Sequence, residues 1–109
     1  MQDKIVKKME QEIGKIMRAM ARIGPMRPGG LTQQYHKPAE KVGGYWQLSY
    51  THRGRSYSEN VREEEMEQVR AEMEQYRQFK ELCGRWVDVS VERARRIRDI
   101  KRGTVREPK

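Results

Sequence analysis

Between Asp3 and Ile23 the apolar side chains Ile5, Met9, Ile13, Ile16, Met17, Met20 and Ile23 return mostly every three or four residues, and lysines and arginines fill many of the other positions. That period predicts an amphipathic helix within residues 1–24. Gly24-Pro25 ends it, and Pro28, Gly29 and Gly30 prevent its resumption. The period then changes to two. Leu31, Gln33 and Tyr35 alternate with Thr32, Gln34 and His36 as a short candidate strand, and residues 37–44, KPAEKVGG, read as a loop. From Tyr45 to Thr51, Trp46, Leu48 and Tyr50 share one face and Tyr45, Gln47 and Ser49 the other, the alternation of a half-buried strand. His52, Arg53 and Gly54 supply a reversal, with Gly54 at positive φ. Arg55 to Val61 returns with Arg55, Tyr57, Glu59 and Val61 on one face, and Tyr57 is expected to pair with Tyr50 or a neighbour.

Two strands alone are marginal in water, and the next stretch supplies something to pack on. Asn60 or a neighbour is a candidate cap, and Glu63, Glu64 and Glu65 fall in a first turn, where the helix dipole favours negative charge. Met66, Val69, Met73, Tyr76, Phe79, Cys83 and Trp86 then recur at helical intervals, one apolar seam suited to a core or to a protein partner. Gly84, Asp88 and Ser90 predict a break near residues 87–90. Val91, Ala94, Ile97 and Ile100 resume the period in a basic helix that Gly103 ends, with residues 104–109 expected to fray. The expected chain is α+β: an N-terminal amphipathic helix (1–24), a small antiparallel sheet of two or three strands with a long helix (25–86), and a basic helical tail (87–109).

Composition changes this picture in one respect. With 109 residues and only 35% apolar side chains, the chain can enclose only a thin core, so burial against another chain is expected to complete it. A homo-oligomer is one way to do so. Charge changes it in another. The net charge of +8 is distributed as +4 over residues 1–30, +3 over 31–58, −4 over 59–81 and +5 over 92–109. A basic field on the first helix, the strands and the tail, interrupted by an acidic helix start, points to a polyanionic partner such as DNA or RNA. No stretch approaches the ~20 apolar residues needed to cross a bilayer, nor does the N-terminus resemble a signal peptide, so a cytoplasmic protein without membrane association is expected.

The residues offer little chemistry beyond binding. His36, His52 and Cys83 lack the paired spacing of a zinc site, and Cys83 falls in the apolar seam, so no metal and no cofactor are expected. No nucleophile, acid pair or phosphate loop converges, and an enzyme is not expected. The hairpin is more promising: Gln47, Ser49, His52, Arg53, Arg55 and Tyr57 could read base edges in a DNA groove or hold phosphates. Its aromatics could instead stack on unpaired bases. Arg93, Arg95, Arg96, Arg98, Lys101 and Arg102 in the tail suit phosphate contact, because the guanidinium fork bonds phosphate oxygens in pairs. The other reading is a helical assembly module that oligomerises or docks on a larger protein, with its charge incidental.

The segments MRPGGLTQQY (26–35), GGYWQLSYTHRGRSYSENV (43–61) and EEMEQVRAEMEQYRQFKEL (64–82) resemble a family of short, basic, uncharacterised bacterial and archaeal proteins often encoded beside transposases and other mobile-element genes. The resemblance covers roughly residues 26–86; it implies association with a mobile element, with a mobile-element enzyme as a partner, and carries over no biochemical activity, so the expectation of an accessory nucleic-acid-binding protein rests on the charge and the hairpin. Members commonly carry a cysteine cluster between the first strand and the aromatic strand, whereas this chain has HKPAEKVGG there, so no metal residues carry over. The strand-turn-strand-helix order is also similar to the arm-site DNA-binding domains of tyrosine recombinases.

Overall fold

The computed structural model describes residues 3–37 and 39–104, Val42 by its backbone alone. Helix α1 spans Lys4–Ala21; strands β1 (Gly30–Lys37), β2 (Val42–His52) and β3 (Arg55–Val61) follow; a 3₁₀ turn at Glu63–Glu65 leads into helix α2, Met66–Lys101. The α+β expectation holds, and the sheet has three antiparallel strands in the order β1-β2-β3. The chain divides into two compact units: residues 24–77, and residues up to Ile23 together with those from Gln78 onward. The first helix and the basic tail therefore belong to one unit, where three consecutive segments had been expected.

In the unit of residues 24–77, β2 is the central strand. Leu31 pairs with Leu48 across β1-β2, and Leu48 with Glu59 and Trp46 with Val61 across β2-β3. Leu48, Val61, Met66 and Val69 are buried together, with Leu31, Trp46, Tyr50 and Met73 packed around them. The early turns of α2 thus close one face of the sheet, and the upstream half of the expected seam is consumed there. Arg70 lies 5.4 Å above the Trp46 ring. The segment before β1 is tied to α2 by the Gly24 amide, which donates to Gln75 Oε1 at 3.0 Å, and by the Arg27 amide, which donates to the Glu72 carbonyl at 3.0 Å. The Arg27 guanidinium also reaches Glu72 at 3.3 Å and Glu59 at 3.6 Å.

The other unit is an antiparallel helix pair. Asp3 caps α1, its Oδ1 accepting from the Ile5 and Val6 amides at 2.8 and 3.0 Å, as the short polar side chain at that position allows. Ile16 is fully buried. Arg85 pairs with Glu12 at 2.5 Å, Arg93 with Glu10 at 2.7 Å and Arg96 with Asp3 at 3.1 Å. Burial alone would raise the Asp3 carboxyl, but the Arg96 hydrogen bond, the two amides and the Arg96 charge outweigh it and hold the group below its ordinary value.

Three local expectations are corrected. No break interrupts residues 87–90, because α2 is continuous to Lys101. Asp88 and Ser90 cost a helix interior only ~0.5 kcal/mol each, and the ion pairs from Arg85 and Arg93 to α1 flank this stretch on both sides. Asn60 is not a cap: it stays in β3 opposite Gln47, and Arg62 precedes the 3₁₀ turn without a side-chain cap bond. The loop assigned to 37–44 is shorter, since pairing continues through Lys37 and Val42. Gly43 lies within β2 at φ +71°, and a Cβ there would fall 2.8 Å from His36 Cδ2, so this glycine makes room for a ring instead of turning the chain. Gly103 does end α2: at φ +75° its amide bonds the Ile100 carbonyl and the Thr104 amide bonds the Asp99 carbonyl, a Schellman closure. The fraying expected beyond Thr104 lies outside the described residues.

Candidate nucleic-acid interface

The register of the sheet sorts its side chains into two sets, because residues directly opposite one another share a face. Trp46, Leu48, Tyr50 and His52 stand with Val61, Glu59, Tyr57 and Arg55 on the face that α2 covers in part. The opposite face carries Gln47, Ser49 and Thr51 of β2, facing Asn60, Ser58 and Ser56 of β3. β1 adds Thr32 opposite Gln47 and Gln34 opposite Tyr45. Gln47 and Gln34 are half-buried by their neighbours; Thr32, Ser49, Thr51, Ser56, Ser58 and Asn60 are exposed. Gln34 Nε2 donates to the Thr32 hydroxyl at 3.1 Å. This open face bears hydroxyls and amides and no charged side chain over its three-stranded middle.

The hairpin residues singled out from sequence are thereby split. Gln47 and Ser49 lie on the open face, whereas His52, Arg55 and Tyr57 stand on the other side of the same two strands. Tyr57 stacks on Tyr50, ring centroids 5.0 Å apart and planes 16° apart. The Tyr50 hydroxyl donates to Glu59 Oε1 at 3.1 Å, and that bond, with burial and the carboxylate charge, raises the phenol above its ordinary value. These two aromatics therefore brace the hairpin. Sequence reading missed Thr32, Gln34, Ser56, Ser58 and Asn60, although a two-residue turn at Arg53-Gly54 dictates the register that aligns the last three with Gln47 and Ser49.

Charge gathers at the two ends of the sheet. Arg53 and Gly54 both have positive φ, +52° and +78°, the requirement of a primed two-residue hairpin turn. Lys41, in the β1-β2 turn, has φ +53°. Glycine or asparagine would occupy such positions at lower cost, yet each hairpin tip holds an exposed cation there. Lys37 and Arg55, also exposed, sit beside these tips. Among the described residues neither Arg53 nor Lys41 has an ion-pair partner.

The arginine-rich tail is divided as well. Arg93 and Arg96 are bound to α1 carboxylates and Arg98 pairs with Asp99 at 3.1 Å, so the first two hold the helix pair together. Arg95, Lys101 and Arg102 remain exposed. On α1, Lys4, Lys8, Lys15, Arg18 and Arg22 recur at helical spacing and are all exposed. Of the seam residues, Tyr76, Phe79, Cys83 and Trp86 are half-buried. Among the described residues no group of three or more His, Cys, Asp or Glu side chains could hold a metal ion, and no helix is long and apolar enough to cross a membrane.

Comparison with protein-family models, with curated proteins and with solved structures finds no match.

Proposed function

We propose that the chain is a small nucleic-acid-binding protein that lays the open face of its sheet against duplex DNA. The observation that carries this reading is the pairing of an uncharged amide-and-hydroxyl face with a cation held in left-handed conformation at each hairpin tip. Amides bond base edges in the major groove, where each base pair presents its own pattern of donors and acceptors. Three strands at their usual spacing make a face about 10 Å across, narrow enough for a groove about 12 Å wide. Beyond the base edges the strands run on to the cationic tips, which suit phosphate contact. Duplex DNA is favoured over single strands because the middle of the face, Gln47, Ser49, Ser58 and Asn60, is amide and hydroxyl, and the one aromatic pair on this side among the described residues, Tyr45 with His36 at 4.9 Å, stands at its β1-β2 end. It is favoured over duplex RNA because the A-form major groove is too deep and narrow to be read by side chains. The exposed basic side chains of α1 and the C-terminal end of α2 would add sequence-independent affinity.

The test is selection of duplexes from a random pool, followed by fluorescence anisotropy on the selected duplex, its single strands and the matching RNA duplex. The selected DNA duplex should bind tightest. Gln47→Ala with Asn60→Ala should erase the sequence preference, at about 1–3 kcal/mol for each amide that reads a base, while salt-dependent binding persists. Equal affinity for single strands, or an unchanged selection by the double variant, would refute the assignment to this face.

A further inference from the structure

In the helix-pair unit two helices enclose little, and Ile16 is its one buried apolar side chain among the described residues. The apolar surface left over is gathered on one side. An open groove of about 570 Å³ is lined by Met20 of α1 and by Cys83, Trp86 and Ser90 of α2, and its lining continues onto Val87, Val91 and Ala94. Val87 is 60% exposed and Val91 43%. These last three residues are four and three apart, so they form a ridge along α2. The seam read from sequence ran through Cys83 and Trp86; the ridge is a second stripe, one position further round the helix.

We propose that this face is the contact between two copies of the chain, with their α2 helices antiparallel about a two-fold axis near Val91. The ridge forms one apolar wall of the groove, and a two-fold rotation about an axis near Val91 sets that wall of each copy against the same wall of the other. The spacing of four and three is that of helices packed at a shallow angle. Charge fixes the direction. Asp88 follows the first ridge residue and Arg95 follows the last; both are exposed, and neither has an ion-pair partner among the described residues. In the antiparallel arrangement Asp88 of each copy meets Arg95 of the other, making two interchain pairs. A parallel arrangement would put the two copies of each residue on opposite sides of the seam and form neither pair. A partner of another sequence would have no reason to match this symmetric placement of acid and base.

Sedimentation velocity on the full nuclease-treated chain across a concentration series tests the proposal, nucleic acid being removed so that it cannot bridge copies. The chain should dimerise reversibly. Val91→Asp should weaken the dimer by more than about tenfold while the far-ultraviolet circular dichroism keeps its helical amplitude, because Val91 is half exposed. Asp88→Arg and Arg95→Asp should each weaken the dimer, and the two together in one chain should restore it. A chain that stays monomeric throughout overturns the proposal, as does a dimer indifferent to Val91→Asp. A double charge swap that fails to restore association overturns the antiparallel pairing.

Discussion

At Arg53 the demands of the backbone and those of the proposed DNA contact oppose each other. It is the first of two turn residues between β2 and β3, at φ +52°, exposed and without an ion-pair partner among the described residues. A left-handed conformation costs an ordinary L-residue roughly 1–2 kcal/mol, whereas asparagine visits it routinely. Arg53→Asn would convert the turn to Asn-Gly, the pair most favoured for this hairpin geometry. No contact of the guanidinium is lost in the folded chain, so the variant should be more stable by about 1 kcal/mol. For a chain of this size that raises the melting temperature by about 4–8 °C. Binding should move the other way. Removing one phosphate contact weakens affinity for duplex DNA and lowers the slope of log affinity against log salt by about 1. In a Trp86→Phe background, thermal unfolding followed at Trp46, which packs against the sheet core, and anisotropy at several salt concentrations measure the two effects on one preparation. A variant that melts lower than the parent would show that the arginine stabilises the turn, and an unchanged salt slope would show that the tip does not touch phosphate. Either result breaks the argument that the cation is kept there for binding.

Two further predictions concern the framework. Leu48 is fully buried at the centre of the sheet, so Leu48→Ala should destabilise the chain by about 2–5 kcal/mol, counting the lost burial and the cavity left behind; a urea-unfolding difference below about 1 kcal/mol would mean that α2 does not pack there as described. Asp3→Asn keeps a capping side chain but removes the charge that Arg96 meets. Because the folded carboxyl lies below its ordinary value of 3.8, the unfolded chain takes up the proton first on acidification. Its stabilisation is therefore complete above pH 3.8 and is lost as pH falls through the lowered folded value. The difference in melting temperature between parent and variant should be constant near neutrality and close below pH 3.8, and a gap that persists in acid would remove the ion pair as its cause.

Much of the fold was legible because hydrophobic period reports burial directly. The change from a period of three or four to a period of two at Leu31, and back again at Met66, located α1, the three strands and the start of α2, and β3 lies at Arg55–Val61 as the alternation predicts. The break expected at residues 87–90 was misread for a physical reason: local propensity is worth a few tenths of a kcal/mol per residue, and the Arg85-Glu12 and Arg93-Glu10 pairs that oppose it join residues more than seventy positions apart. The same distance hid the division of the tail. Nothing near Arg93 or Arg96 in sequence shows that their partners are Glu10 and Asp3.

The candidate site was obscured differently, since its residues were visible but assigned one strand at a time. Alternation says which residues of a strand share a face; it does not say which face of the next strand continues it. That link is the register, and in a hairpin the turn sets it. With Arg53 and Gly54 as the only turn residues, His52 must oppose Arg55, and counting back puts Tyr50 on Tyr57, Leu48 on Glu59 and Gln47 on Asn60. The buried Leu48 then fixes the whole Tyr57-Arg55 row on the helix side and leaves Ser56, Ser58 and Asn60 in the open with Gln47 and Ser49. Choosing site residues for their chemistry alone favoured Arg55 and Tyr57 over the serines and the asparagine, although the register gives the latter the outward face. On the proposed reading, a small basic sheet keeps its charge away from the middle of the surface that would meet DNA: a buried core on one side forces alternate residues outward, and cations at the two tips would carry the attraction that an uncharged face cannot supply.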